Sequence, residues 1–164
     1  MNIYITGTPG VGKTTLAELV AENTGLELLS IKEAIFENKL YDSYDSEADT
    51  YDVDDEVLFE FFNDKLEERK YIMDHHSCFL DPDFLDIVVV LRTEHDILGK
   101  RLQARNYPHS KVIENLEAEM FDVCQEEAED IYEGSNTKVV VLQSNNDEDM
   151  DNNVEIICNM LIDQ

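Results

Sequence analysis

The chain has 164 residues, 43% of them hydrophobic, which is enough for one domain with a buried core. Its formal net charge of −26, from 38 acidic and 12 basic residues, disfavours direct binding to the phosphate backbone of nucleic acids. No apolar run is long enough to span a membrane and no signal peptide opens the chain, so we expect a protein of the nucleus and cytoplasm.

The acidity of the chain has two interpretations. It either keeps the protein solvated, as in salt-adapted proteins, or forms an acidic face for a basic protein partner. The three cysteines, Cys78, Cys124 and Cys158, are widely spaced and form no C-x-x-C pair. We therefore expect free thiols, with neither a disulfide framework nor a zinc site.

The predicted elements of the first half alternate between strands and helices. A β-branched strand over residues 2–6 enters a Gly/Pro loop, which leads into a helix over residues 13–23. The stretch 41–55 is polar, and residues 42–60 hold nine acidic residues and no basic one, which indicates a solvated or mobile flap. The remaining elements of this half are a strand at 26–30, a short helix at 31–38 and an amphipathic helix at 56–69.

The second half continues the alternation. Strands are predicted at 71–74, 86–91 and 138–142, and the middle one (D-I-V-V-V-L) has the continuous apolar pattern of a central parallel strand. A helix begins near Thr93, where Thr93 and Asp96 resemble a capping box, and runs toward Arg105. The other predictions are a loop at 106–110, one long helix at 111–133, a polar turn at 144–151 and a last helix at 153–162. This order predicts a three-layer α/β fold with a parallel sheet.

Residues 7–14 (G-T-P-G-V-G-K-T) match the phosphate-binding pattern G-x-x-x-x-G-K-[ST] at every position, between a strand and a helix. Glycines in this loop let successive backbone N–H groups face phosphate oxygens at the helix N-terminus. Lys13 then reaches the terminal phosphates, and the Thr14 hydroxyl binds Mg²⁺. The residues predicted to bind the nucleotide here are Gly7, Pro9, Gly10, Val11, Gly12, Lys13, Thr14 and Thr15.

Asp74 ends the strand at 71–74, so its carboxylate is expected at the sheet edge where ligands bind in open α/β folds. It is the candidate second magnesium ligand, acting through water. His75 and His76 follow, and because neighbouring residues of an extended chain point in opposite directions, only one is expected to face the phosphates. Spacing alone leaves open which of the two does.

Arg101 and Arg105 lie four residues apart, so they share one helix face beside a predicted loop. Guanidinium groups bind phosphate through paired hydrogen bonds, which makes the two arginines a candidate clamp for the transferred group. The alternative is that both are solvated and paired with nearby acids.

The sequence resembles the nuclear adenylate kinase-like family in four segments. They are the phosphate loop, L-Y-D-S-Y-D at 40–45, the D-x-H of Asp74 and His76, and R-L-Q-A-R-N-Y at 101–107. This family, the adenylate kinase isoenzyme six type, is also called the coilin-interacting nuclear ATPase. The resemblance covers nearly the whole chain. It implies a single adenylate-kinase-like P-loop domain over 1–164, with a monophosphate-binding flap near 30–53 and a short lid near 104–114.

The resemblance also implies an activity. Family members phosphorylate AMP with ATP and Mg²⁺, hydrolyse ATP, bind a basic ribosomal protein and act in maturation of the small ribosomal subunit. It assigns the ATPase role to His76 rather than His75 and places Asn146 near the adenine. From the residues themselves we expect Lys13, Asp74, Arg101 and Arg105 to carry the transfer chemistry, with Arg105 also contacting the nucleotide. A monomer is expected.

The sequence departs from the family pattern at two positions. Phe36 stands where adenylate kinases carry the flap arginine that clamps the monophosphate, and phenylalanine cannot donate to phosphate. Lys32 or Lys39 are candidate replacements, without the paired hydrogen bonds of arginine. Asn146 stands where relatives can have a lysine near the adenine.

Three functions follow from these residues. The first is a nucleoside monophosphate kinase with ATPase activity, in which Phe36 weakens the kinase more than the hydrolysis. The second is an assembly factor whose nucleotide cycle only gates the binding of a basic partner. The third is an acidic chaperone that keeps ATP binding as a relic, against which the intact Lys13, Thr14 and Asp74 argue.

Overall fold

The computed structural model describes residues 1–46 and 50–162, so the middle of the predicted flap, at 47–49, and residues 163–164 lie outside the described residues. The strands are β1 (Ile3–Thr6), β2 (Glu27–Leu28), β3 (Ser43–Asp45), β4 (Thr50–Asp52), β5 (Tyr71–Asp74), β6 (Ile87–Arg92) and β7 (Lys138–Gln143). The helices are α1 (Lys13–Thr24), α2 (Ile31–Asn38), α3 (Asp55–Leu66), α4 (His95–Ala104), α5 (His109–Met120), α6 (Val123–Tyr132) and α7 (Asp147–Ile162), and a 3₁₀ turn lies at Pro82–Phe84.

Five parallel strands form the central sheet in the order β2-β5-β1-β6-β7. Because β1 lies between β5 and β6, the loops that leave these three strands meet at one edge of the sheet. Strands β3 and β4 form a separate antiparallel hairpin within the predicted flap. The predicted α/β fold with a parallel sheet is therefore confirmed.

Alternate residues of the buried strands feed two cores, one on each face of the sheet. Tyr4 and Val88 pack against α2, α3 and α6 on one face. Ile5 and Val89, their neighbours in the chain, pack against α1, α4, α5 and α7 on the other. This alternation produces the three layers that the sequence predicts.

The predicted long helix at 111–133 is wrong: the chain forms two helices, α5 and α6, that meet at a corner. Asp122 has the left-handed φ of 56° there, which interrupts the helix. The guanidinium of Arg92 bonds to the Glu119 carbonyl oxygen at 2.7 Å and to Asp122 Oδ1 at 2.5 Å, across both sides of the corner. A contact from β6 thus ends the helix, which the local sequence pattern does not reveal.

The polar turn predicted at 144–151 is also wrong, because α7 already begins at Asp147. Oδ1 of Asn146 accepts a hydrogen bond from the backbone N–H of Asp149 at 2.9 Å, which caps the helix. Three acidic residues in the first turn are favourable beside the positive end of the helix dipole.

Smaller differences concern other element boundaries. Strand β2 is shorter than the predicted strand at 26–30, and α5 already begins at His109, inside the predicted loop at 106–110. The predicted capping box is wrong, since Glu94 is the N-cap of α4 and the Thr93 hydroxyl donates to the Ser144 carbonyl oxygen at 3.1 Å. Within the described residues no helix is both long and apolar enough to cross a membrane.

Candidate active site

The loop between β1 and α1 curls around the amino group of Lys13. Its Nζ donates hydrogen bonds to the carbonyl oxygens of Gly7, at 2.7 Å, and Thr8, at 3.2 Å. Gly12 precedes α1 with a φ of 101°, which glycine adopts without steric cost. Burial lowers the pKa of Lys13 from 10.5 to about 8, although Asp74 opposes the change. An ammonium group that is held by carbonyl dipoles rather than water can exchange them for phosphate oxygens.

Asp74 and Thr14 come together at the carboxyl edge of the sheet. Strand β5 pairs with β1 so that Asp74 lies opposite Ile5, next to the start of the phosphate loop. The Thr14 hydroxyl donates to Asp74 Oδ2 at 2.8 Å. Burial raises the pKa of Asp74, while the Thr14 hydrogen bond and Lys13 act in the opposite direction. A hydroxyl and a carboxylate are oxygen ligands of the kind Mg²⁺ prefers, so this pair fits the ion.

Both histidines line the same cavity, which corrects the expectation that only one faces it. Strand β5 ends at Asp74, so the alternation of an extended strand does not govern the two histidines, whose rings are tilted by 35° with centroids 4.3 Å apart. Burial, the neighbouring His76 and Lys13 lower the pKa of His75 to about 3. The pKa of His76 is lowered by burial and then by Lys13. Both rings are therefore neutral at physiological pH.

The two candidate clamp arginines occupy different places. Arg105 follows the last residue of α4 and lines the cavity. Arg101 lies one turn earlier, where its Nη1 contacts the Val11 carbonyl oxygen at 3.4 Å and the Thr93 hydroxyl at 3.3 Å. Burial and the charge of Arg105 lower the pKa of Arg101. Arg105 alone of the pair is thus placed to meet a phosphate directly.

Some of the other residues predicted to contact the nucleotide line the cavity, and others do not. Pro9, Gly10 and Thr15 line the cavity. Val11 is fully buried in the core and is not among the residues that line the cavity, so its contact with the nucleotide stays a prediction. Asn146 is exposed, caps α7 and does not line the described cavity, and its contact with the adenine stays a prediction.

The cavity has a volume of about 600 Å³, within the range of small-molecule sites. Opposite the phosphate loop, its walls come from the predicted flap and from the predicted lid with α5. The flap contributes Lys32, Glu33 and Tyr51, and the other wall contributes Tyr107, Lys111 and Asn115. The sequence patterns assigned none of these residues a role in the site, apart from Lys32.

The flap position of Phe36 does not face the cavity. Its side chain is 60% exposed, and its ring lies 6.3 Å from the ring of Tyr51. Of the two candidate replacements, Lys32 lines the cavity, one helical turn before Phe36. Lys39 follows the last residue of α2 and is exposed outside the described cavity wall.

A buried charge cluster behind the phosphate loop was missed by the sequence reasoning. Glu119 is 5% exposed and accepts hydrogen bonds from Arg92 Nε at 2.8 Å and from the Thr8 hydroxyl at 2.5 Å. The available signal was an arginine directly at the end of the most apolar strand, β6. A charged residue at that place needs a partner.

A P-loop kinase is the class of protein that this parallel sheet, phosphate loop and threonine–aspartate pair define. A family model described as an AAA domain matches residues 3–122. The adenylate kinase isoenzyme 6 homolog of Schizosaccharomyces pombe is 44% identical over 158 residues, which cover 95% of this chain and 89% of the relative. The homolog of Dictyostelium discoideum is 40% identical, with the same coverage of both chains.

The chain therefore belongs to the family of adenylate kinase isoenzyme 6 homologs. It is an enzyme of the kinase or ATPase type with a nucleotide-kinase-like function. The crystal structure of shikimate kinase from Bacteroides thetaiotaomicron aligns with a TM-score of 0.65 over 98% of both chains, at 17% identity. At that identity the likeness concerns the fold alone.

Proposed function

We propose that this protein transfers the γ-phosphoryl group of ATP to AMP with Mg²⁺, and hydrolyses ATP when the acceptor is absent. The observation that carries this proposal is the placement of Lys13 and the Thr14–Asp74 pair in the same cavity as flap and lid side chains. A cavity with a phosphate site and two further walls fits two reactants held side by side.

The chain's own residues supply the phosphate end of the reaction. Lys13 exchanges the carbonyl oxygens of Gly7 and Thr8 for oxygens of the terminal phosphates. Thr14 and Asp74 would hold Mg²⁺, which neutralises phosphate charge when it is bound. Arg105 approaches from the lid side and stabilises charge on the transferred group, a role worth roughly 10³–10⁵ in rate for an arginine.

The acceptor end is built differently from the pattern that the resemblance implies. Lys32 faces the cavity from α2, whereas Phe36 is turned away from it. A lysine binds a phosphate as a point charge and does not fix its orientation with two parallel bonds. We therefore expect weak AMP binding and a large share of hydrolysis.

Hydrolysis requires a group that orients water. His76 lines the cavity, and its lowered pKa keeps the imidazole neutral, with a lone pair able to accept a proton or a hydrogen bond. His76 is thus the residue we assign to water in the ATPase mode.

We further propose that the enzyme acts in maturation of the small ribosomal subunit and its rRNA, in the nucleus and cytoplasm, together with a basic ribosomal protein. The net charge of −26 supports a basic partner. A second candidate function, a nucleotide-gated assembly factor with little kinase activity, is favoured by the outward position of Phe36. A pull-down of basic ribosomal proteins with ATP, with ADP and without nucleotide tests the partner.

The activity is tested with purified protein and ATP–Mg²⁺, with and without AMP, by following ADP and free phosphate separately. Lys13→Met and His76→Ala are the site variants. Lys138→Met is the matched control, because Lys138 is an exposed lysine at the opposite edge of the sheet. We expect Lys13→Met to lose turnover and Lys138→Met to keep it.

The two modes give different results. AMP-dependent ADP formation without phosphate release indicates the kinase, and phosphate release that ignores AMP and disappears in His76→Ala indicates the ATPase. Phe36→Arg should raise the kinase share if the missing flap arginine limits it. An absence of both activities, with nucleotide-dependent partner binding retained, would support the assembly factor instead.

A further inference from the structure

Glu119 is a charged residue in the interior of the fold, with 5% exposure. Its Oε1 accepts hydrogen bonds from Arg92 Nε at 2.8 Å and from the backbone N–H of Thr93 at 2.9 Å. Its Oε2 accepts from the Thr8 hydroxyl at 2.5 Å. A buried carboxylate with three donors is fully paired, so its position is fixed by geometry rather than by solvent.

Thr8 connects this carboxylate to the phosphate loop. Thr8 is 1% exposed, and its carbonyl oxygen accepts hydrogen bonds from Lys13 Nζ at 3.2 Å and from the Val11 N–H at 3.3 Å. Anchoring the Thr8 side chain therefore also fixes the carbonyl group that holds Lys13. Glu119 acts through Thr8 and is not among the residues that line the described cavity.

Glu119 also belongs to the helix that carries part of the opposite wall. It lies near the end of α5, and Lys111 and Asn115, which line the cavity, lie on the same helix. Eight residues of helix span about 12 Å between Lys111 and Glu119. Arg92 holds the corner after α5 through Gln125 Oε1, at 2.9 Å, and Asp122 Oδ1, at 2.5 Å. The phosphate loop and the wall helix are thus attached at one buried point.

We propose that Glu119 is a positioning residue that ties the phosphate loop to α5 through the Thr8 hydroxyl and thereby sets the affinity for the nucleoside triphosphate. The proposal deepens the proposed function and rests on it only for turnover, because affinity is measured without any reaction. Hydrogen bonds to a charged acceptor are among the stronger ones, so we expect losing this bond to weaken binding about tenfold.

The test compares the affinity of four single variants, and of the double variant Thr8→Val with Glu119→Gln, for a non-hydrolysable ATP analogue with Mg²⁺ by calorimetry, with melting temperatures recorded beside it. Thr8→Val removes the hydroxyl at constant shape, and Thr8→Ser keeps a hydroxyl. Glu119→Gln removes the charge. Thr137→Val is the matched control, because the Thr137 hydroxyl is also buried and bonded, to Pro82 O at 2.9 Å, but lies at the opposite edge of the sheet.

Thr8→Val and Glu119→Gln should each lose about tenfold in affinity, and the double variant should bind no more weakly than the weaker single variant. Thr8→Ser should recover most of the loss, and Thr137→Val should melt lower without losing affinity. Retained affinity in Thr8→Val or Glu119→Gln, even with a lower melting temperature, would overturn the positioning role. If the wild type binds the analogue but has no turnover, the proposed function is contradicted and the comparison of affinities remains valid. If the wild type does not bind the analogue, both the proposed function and the positioning role of Glu119 are contradicted.

Discussion

Replacing Arg92 by methionine should lower the free energy of unfolding by more than the loss of an exposed ion pair does. The Arg92 side chain is 17% exposed and that of Glu119 is 5% exposed, so the substitution leaves a buried carboxylate without its positive partner. Breaking a buried pair in this way costs about 3–5 kcal/mol. The substitution also removes the bonds of Arg92 to Asp122, Gln125 and the Glu119 carbonyl oxygen, which adds to the cost.

The matched control is Arg69→Met. Arg69 pairs with Asp86 at 2.9 Å, but its side chain is 45% exposed, and such pairs contribute about 0–1 kcal/mol. Urea unfolding followed by circular dichroism gives both free energies. For a chain of this length, a loss of 3–5 kcal/mol corresponds to a fall of about 10 °C in melting temperature.

A third variant separates the buried charge from lost packing. Arg92→Met combined with Glu119→Gln removes both charges, so it should be more stable than Arg92→Met alone. Equal losses for Arg92→Met and Arg69→Met, or no recovery in the double variant, would refute the reasoning that an unpaired Glu119 is the source of the cost.

Three further predictions concern the cavity. Gly7→Ala places a Cβ 2.5 Å from the Leu91 carbonyl oxygen, so it should lower the free energy of unfolding in urea by about 2 kcal/mol or more. The control Gly25→Ala, where no atom lies within 4 Å of the new Cβ, should lower it by about 1 kcal/mol. A larger loss at Gly25 would contradict this prediction. The fold lowers the pKa of Lys13 to about 8, so between about pH 8 and 10.5 the unfolded chain keeps the Lys13 proton that the folded chain has lost. The free energy of unfolding of the wild type relative to Lys13→Met should therefore rise with pH over that range and be constant below it. A fall with rising pH would contradict this prediction. Tyr51→Ala should raise the KM for the acceptor several-fold and leave ATP affinity unchanged, whereas Tyr44→Ala, outside the described cavity wall, should change neither constant.

The sequence predicts the sheet and its phosphate loop well because their signals are local. The β-branched run of β6 and the glycine-rich pattern before Lys13 each need only neighbouring residues to be recognised. The corner between α5 and α6 lacks such a signal, because Arg92 ends α5 from a position 27 residues earlier in the chain than Glu119. Helical periodicity continues through Phe121 and Asp122, so the pattern predicts one helix where tertiary contacts produce two.

The site shows the same division between local and long-range causes. The motif names Lys13 and Thr14, and the end of the strand at 71–74 indicates Asp74. Parallel pairing of β1 with β5 brings them together. The spacing of Arg101 and Arg105 predicts a shared helix face, but α4 ends between them. Where the helix ends decides that Arg105 reaches the cavity while Arg101 supports the phosphate loop from behind.

Phe36, which departs from the family pattern, and Lys32, its candidate replacement, lie on the same helix of the flap, α2. Residues 32 and 36 are one turn apart on α2, so they share a helix face and differ in their position along the helix axis. At these positions Lys32 lines the cavity and Phe36 lies outside it. An arginine at position 36 would therefore reach an acceptor only with a different flap position, whereas Lys32 is already in place. If Phe36→Arg leaves the ratio of transfer to hydrolysis unchanged and Lys32→Met lowers it, the acceptor phosphate in this enzyme is bound by Lys32, one turn earlier on the flap helix.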